Sequence, residues 1–193
     1  MTQSLQNNVS IRLKSGGHSF SGAELDALRG AKQPVEALLL TSKSTLVPAE
    51  FFDKAHAADY LADVGLATSV DEVAVFSKPT CGVVAVMAIA ERTLIELQSV
   101  AKEIVFTSPL LAEQTVEQGS VLHLEDDLLY VRVYGDGLRF AEVVEIKNDA
   151  DILYYLTVIN EVYGICNMFA RAKGDTARLQ RLCKQIFKNL LCE

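Results

Sequence analysis

Metal ligands and reactive thiols are scarce in this chain: 193 residues hold four cysteines and three histidines. Cys81, Cys166, Cys183 and Cys192 lie far apart with no CxxC pair, which argues against a zinc knuckle or a redox dithiol and suits reduced core thiols. His18, His56 and His123 stand apart from one another and from cysteine, as surface or edge residues do, so no metal site and no cofactor is expected. Glycine-rich phosphate loops of the GxxxxGK[ST] or GxGxxG type are missing, and no nucleophile elbow points to Ser-His-Asp or Cys-His catalysis. The longest apolar run, Val83 to Ala90, is far shorter than the roughly 20 residues of a membrane-spanning helix and reads as a buried strand. The first eight residues are polar, with neither a basic region nor an apolar stretch, so no signal peptide is read and a cytoplasmic protein is expected.

Positive charge is also in deficit. Eighteen basic against twenty-five acidic residues give a formal net charge of −7, which disfavours non-specific binding to nucleic acid or to an anionic membrane. The charge is uneven: residues 171–193 carry six basic and two acidic side chains, net +4, which leaves −11 for the rest. A solvated basic face on a packing helix explains this segment, and an anion- or partner-binding face is the alternative.

What the chain has in abundance is hydrophobic residues, 50 % of the total, enough for real cores in one large or two small domains. Val9-Ser10-Ile11-Arg12-Leu13 alternates as a strand with one buried face, and Ser15-Gly16-Gly17 then signals a hairpin whose return strand would be residues 20–25. A third strand is expected at 35–40. Pro48 is placed in the first turn of a helix that ends near Gly65, with Phe51, Phe52, Ala55, Tyr60 and Leu61 on its apolar face. Residues 72–76 and 83–89 form a hairpin through Lys78-Pro79-Thr80-Cys81-Gly82, followed by a helix at 91–101 and a short strand at 104–106. Ser108-Pro109 closes the first half.

The second half opens with three strands in close succession, 121–124, 128–133 and 138–146. Asn148-Asp149-Ala150-Asp151 caps a helix that runs to Tyr163 and stops at Gly164. Ile152, Leu153, Tyr154, Tyr155, Leu156, Val158, Ile159 and Val162 surround most of that helix, which predicts burial nearly all round, by its own domain or by a partner. A strand at 167–172 leads to a last helix capped by Asp175. Its stripe is Leu179, Leu182, Cys183, Ile186, Phe187, Leu190 and Leu191, with Arg178, Arg181, Lys184 and Lys188 in solvent.

The two glycine-turned segments match at an offset of 120, Ile11-Arg12-Leu13-Lys14-Ser15-Gly16-Gly17-His18-Ser19-Phe20 over Val131-Arg132-Val133-Tyr134-Gly135-Asp136-Gly137-Leu138-Arg139-Phe140, with Arg, Gly and Phe coinciding. A duplication explains the match, although any two such hairpins share the alternation. The fold class is therefore α/β, with two duplicated halves at 1–111 and 112–193, each a β-hairpin-led mixed sheet with flanking helices and the second half shortened. This order resembles the actin-like ATPase fold, related to ribonuclease H. The opening strand through Phe20, Leu46-Val47-Pro48 with Tyr60-Leu61, and Asn148-Asp149-Ala150-Asp151-Ile152-Leu153-Tyr154-Tyr155-Leu156 are similar to those of an uncharacterised bacterial family of unknown function assigned to that fold.

The resemblance implies an acidic residue just after the first strand of each half, in the pattern apolar-x-apolar-Asp-x-Gly, where carboxylates organise Mg²⁺ and turn amides hold phosphate. Taking 9–13 and 131–133 as those strands puts Lys14 and Tyr134 where carboxylates belong. Asp136 comes two positions late, in a turn where Asp is common for local reasons. Glu125-Asp126-Asp127 reads as a solvated hairpin tip, since adjacent carboxylates rarely converge on one ion. Ribonuclease-H-type nuclease chemistry is disfavoured as well, because its carboxylates are missing from the first hairpin. The expectation is a non-catalytic protein that binds an unknown protein partner or itself, with no catalytic residue. The alternative is a nucleotide- or phosphate-binding actin-like ATPase with an atypical site at Lys14, Ser15, Gly16, Gly17, Gly135, Asp136 and Gly137.

Overall fold

The computed structural model describes residues 9–14, 18, 20–111, 118–184 and 186–192, and the chain divides into two compact units, Met1–Leu111 and Ala112–Glu193. No helix among the described residues is long and apolar enough to cross a membrane.

The second unit carries one five-stranded sheet. Strands β7 (Gly119–Glu125), β8 (Leu128–Gly135) and β9 (Gly137–Glu145) form an antiparallel meander. Beside β7 lie β10 (Phe169–Gly174) and then β11 (Asn189–Cys192), each parallel to its neighbour, so the order across the sheet is β11-β10-β7-β8-β9. Parallel neighbours need crossovers, which α4 (Asp149–Tyr163) and α5 (Thr176–Cys183) supply. Alternation sends Leu122, Leu124, Leu129, Val131, Val133, Ala170 and Ala172 to one face, where they meet Ile152, Leu156 and Ile159 of α4 and Leu179 and Cys183 of α5. The opposite face is also buried, though it holds Tyr130, His123 and Arg132. Arg132 is fully buried and donates from Nη1 to the Tyr134 hydroxyl at 3.1 Å; burial pulls its pKa below the ordinary value, against the opposing pull of Tyr134.

Helix α4 begins and ends as its sequence dictates. The Asn148 side chain accepts from the Ala150 and Asp151 amides, the Asp151 carboxylate accepts in return from the Asn148 amide, and Gly164 closes the helix at φ +66°. One flank is bare: Tyr154, Val158 and Val162 are 65 %, 42 % and 70 % exposed, so the expected burial nearly all round holds for only part of the circumference. Asp149 in its first turn accepts from Arg178 Nε at 2.7 Å and Arg181 Nη2 at 2.9 Å, tying α4 to α5. Arg178 is therefore half-buried in an ion pair and not free in solvent. The expected long last helix is shorter than its pattern: α5 stops at Cys183, and Leu190 and Leu191 belong to β11. Three- and four-residue spacing continued across the boundary because Leu190 and Cys192 pack into the same core as Leu179.

The first unit has two three-stranded sheets. Strands β1 (Ser10–Lys14), β2 (Val35–Leu40) and β6 (Ile104–Thr107) are parallel in the order β1-β2-β6, while β3 (Ser44–Pro48), β5 (Val83–Ala90) and β4 (Glu72–Phe76) are antiparallel in the order β3-β5-β4. A parallel bridge from Ser77 to Phe106 links them. The apolar run of β5 is explained by burial on both faces: Ala85, Met87 and Ile89 join Leu13, Leu39 and the α3 (Glu91–Val100) residue Leu97, while Val86 and Ala88 meet Val47 and Leu61 of α2 (Ala57–Asp63).

Two expectations fail here. Residues 20–25 are not a returning strand: Ser21 and Glu24 form a reciprocal capping box that starts α1 (Gly22–Gly30), and β1 pairs in parallel with β2. Pro48 does not start a helix; it ends the edge strand β3, where a missing N–H is harmless. The offset-120 overlay thus sets β1, a parallel strand at the end of its sheet, on β8, an antiparallel strand inside its own, and exposed Arg12 on buried Arg132.

Two outcomes test this packing. Leu179→Ala should cost about 2–5 kcal/mol, because it empties a fully buried site. Lys184→Ala, on the exposed side, should stay within about 0.5 kcal/mol, and equal melts would show that α5 does not hold the core. The hydrogen bond from Arg178, with the charges of Arg178 and Arg181, holds the Asp149 carboxyl below its ordinary 3.8. A depressed carboxyl pKa stabilises above the unfolded value and loses that effect as pH falls through the folded one. Asp149→Asn should accordingly lower Tm at neutral pH, with the two proteins converging below 3.8 in melts run as a pH series.

Candidate functional site

The turn Gly135-Asp136-Gly137 joins β8 to β9, with Gly135 paired to Gly137 after a bulge between Val133 and Tyr134. Gly137 takes φ +120°, open to glycine and strained for other residues. Arg139 folds back over Gly135, with Cδ 2.7 Å from where a Cβ would stand. The turn opens on a cavity of about 670 Å³ lined by Gln118, Tyr134, Gly135, Asp136, Arg139, Asn167, Met168 and Phe169. Of the expected ligand residues, Gly135 and Asp136 line this cavity and Gly137 adjoins it. Lys14 is exposed at the end of β1 in the other unit, and Ser15, Gly16 and Gly17 fall outside the described residues. Arg139 is the residue that sequence reasoning missed; the one available signal was a cation two positions beyond a glycine turn.

The other end of β7 is acidic. Leu122-His123-Leu124-Glu125-Asp126 runs into the β7–β8 turn, where His123 Nε2 and Glu125 Oε2 are 2.9 Å apart and Asp126 takes φ +51°. Beside it β10 ends at Gly174, φ +75°, whose added Cβ would overlap the Leu124 carbonyl oxygen. That oxygen accepts from the Asp175 amide at 2.7 Å, and the Asp175 side chain caps α5 through the Arg178 amide. The expected absence of a carboxylate in the second half therefore needs correction. It assumed β8 as the first strand, whereas β7 is first and ends in Glu125. In the first unit β1, β2 and β4 run out into Lys14, Thr41-Ser42-Lys43 and Ser77-Lys78, none of them acidic. Among the described residues no three His, Cys, Asp or Glu side chains gather as metal ligands.

A second cavity, about 650 Å³, lies along α1 and α3 and includes His18, Arg29, Arg92, Thr93 and Glu96. Its arginines are answered locally, Arg29 by Asp26 at 3.4 Å and Arg92 by Glu96 at 3.2 Å.

No protein-family model matches the chain, and neither does any curated protein. Among solved structures, a Bacteroides thetaiotaomicron VPI-5482 protein described as having an actin-like ATPase fold and unknown function superposes with TM-score 0.75 at 15 % identity, over 97 % of this chain and 91 % of that one. The cytoplasmic domain of Epsl, an inner-membrane component of the type II secretion system of Vibrio cholerae, gives TM-score 0.48 at 15 % identity, over 95 % and 84 %. The chain has the actin-like ATPase fold.

The junction of β7 and β10 gives a direct test. Gly65 and Gly174 both have positive φ, but only Gly174 is crowded by backbone. Gly65→Ala should cost about 1–2 kcal/mol for the left-handed conformation alone. Gly174→Ala should exceed about 4 kcal/mol or fail to fold, as chemical denaturation would show.

Proposed function

We propose that this is a non-catalytic module of actin-like fold that acts in the cytoplasm by binding another protein or a second copy of itself. The observation that carries this reading is the exposed apolar flank of α4, where Tyr154, Val158 and Val162 recur every fourth residue on a helix otherwise anchored by Ile152, Leu156 and Ile159. Solvation alone gives no reason for three such side chains to align on one flank. The ends of β1, β2 and β4, none of them acidic, support the absence of catalysis, since the fold's chemistry calls on a carboxylate in each half. Four free thiols suit a reducing compartment.

A second reading, a nucleotide- or phosphate-binding actin-like ATPase with an atypical site, draws on Glu125, which stands at the end of β7 in an apolar-x-apolar-acid sequence.

Two measurements separate them. Val158→Glu should leave the melting curve nearly unchanged while abolishing association, measured by sedimentation of the purified chain and by cross-linking in native cells. If wild type and variant associate with the same partners to the same extent, α4 is not the binding surface. Purified protein with ATP and Mg²⁺ should show no turnover above background, and turnover abolished by Glu125→Gln would establish the second reading instead.

A further inference from the structure

We propose that the cavity at the β8–β9 turn binds a small phosphate-bearing molecule with a flat apolar body, the phosphate held by Arg139 and the body lying along Met168 and Phe169. It shares the Gly135-Asp136-Gly137 turn with the phosphate-binding alternative but requires no hydrolysis, and it concerns the end of β7 opposite Glu125.

Arg139 comes first. A guanidinium offers five N–H donors in a rigid fork, and among the described residues that of Arg139 has neither a hydrogen bond nor an ion pair. Asp136 lines the same cavity but forms no salt bridge with it. The Arg139 side chain is exposed, and its Cδ, Cγ and Nε lie 2.7, 3.5 and 3.6 Å from where a Gly135 Cβ would stand, so the stem rests in the space that glycine leaves.

Asn167, also in the lining, supplies a second donor. Asn167 Oδ1 accepts from Lys188 Nζ at 3.1 Å, which assigns the amide orientation and leaves Nδ2 as a donor. The same contact brings a second positive charge to the rim. Gln118 adds another amide, and Met168, Phe169 and buried Tyr134 supply the apolar surface. The volume lies within the range of roughly 300–1,000 Å³ usual for small-molecule sites. Among the described residues Arg139 and Lys188 outweigh the carboxylate of Asp136, so the site favours an anion, and a forked guanidinium beside amide donors suits a tetrahedral phosphate.

The test is an amide NMR titration of the full chain with phenyl phosphate, inorganic phosphate, phenol and benzoate. Phenyl phosphate should give saturable shifts at Gly119, Tyr134, Gly135, Asp136, Met168 and Phe169, with inorganic phosphate and phenol each weaker. Arg139→Gln should weaken binding about tenfold or more, the loss expected for one charge-assisted contact. Gly135→Ala, which puts a Cβ where the Arg139 stem rests, should also weaken binding, and Asp136→Asn should tighten it. Unshifted amides elsewhere in each variant's spectrum confirm that the fold is retained. Shifts that do not saturate, unchanged affinity in Arg139→Gln, or benzoate binding as tightly as phenyl phosphate would each overturn the proposal.

Discussion

The carbonyl oxygen of Leu124 is the point on which the second unit turns. It receives the Asp175 amide, and it closes so tightly on Gly174 that no side chain fits there. That contact fixes where β10 stops beside β7 and puts Asp175 in position to cap α5. Once α5 is started there, Arg178 and Arg181 reach back to Asp149 in the first turn of α4. The two helices are thereby locked over the same sheet face, and Leu179 and Cys183 meet Ile152, Leu156 and Ile159 beneath them. A local backbone contact thus sets the register of two crossovers.

The face of that sheet away from the helices obeys a different rule. Buried arginine is expensive, and Arg132 keeps its place in β8 through the Tyr134 hydroxyl at 3.1 Å and the tyrosine ring 6.0 Å from its guanidinium carbon. His123 and Tyr130 share the same face, so polar groups there depend on one another's geometry. Residues with such demands tolerate few substitutions, whereas the all-apolar face tolerates repacking.

Elements with their own punctuation were legible in the sequence. Asn148, Asp151 and Gly164 fixed α4 because capping is local, and the hairpin of β4 and β5 was visible from β-branched runs about a Pro-Thr-Cys-Gly turn. The actin-like fold was legible on the same basis, from element order. What failed was every inference in which one local pattern served two structures. Ser-x-x-Glu at 21–24 is a helix start hidden beside glycines that suggested a hairpin, and Leu190 and Leu191 extend a helical period into a strand. The candidate site suffered most, since deciding which strand of a meander is central takes pairing partners, and β8 was taken for β7. That one displacement moved the expected carboxylate from Glu125 to Tyr134.

The two ends of β7 consequently offer opposite chemistry from a single strand. At its C-terminal end stands Glu125, 2.9 Å from His123 and near the start of α5, where Asp175 is the cap. At its N-terminal end Gly119 admits the Phe169 carbonyl, and the cavity there is bordered by Arg139 and by Asn167 with its Lys188. Seven residues of extended chain, at about 3.4 Å each, separate the two ends, so a ligand seated at Arg139 touches none of the groups around Glu125, and a change of side chain at one end leaves the contacts of the other in place.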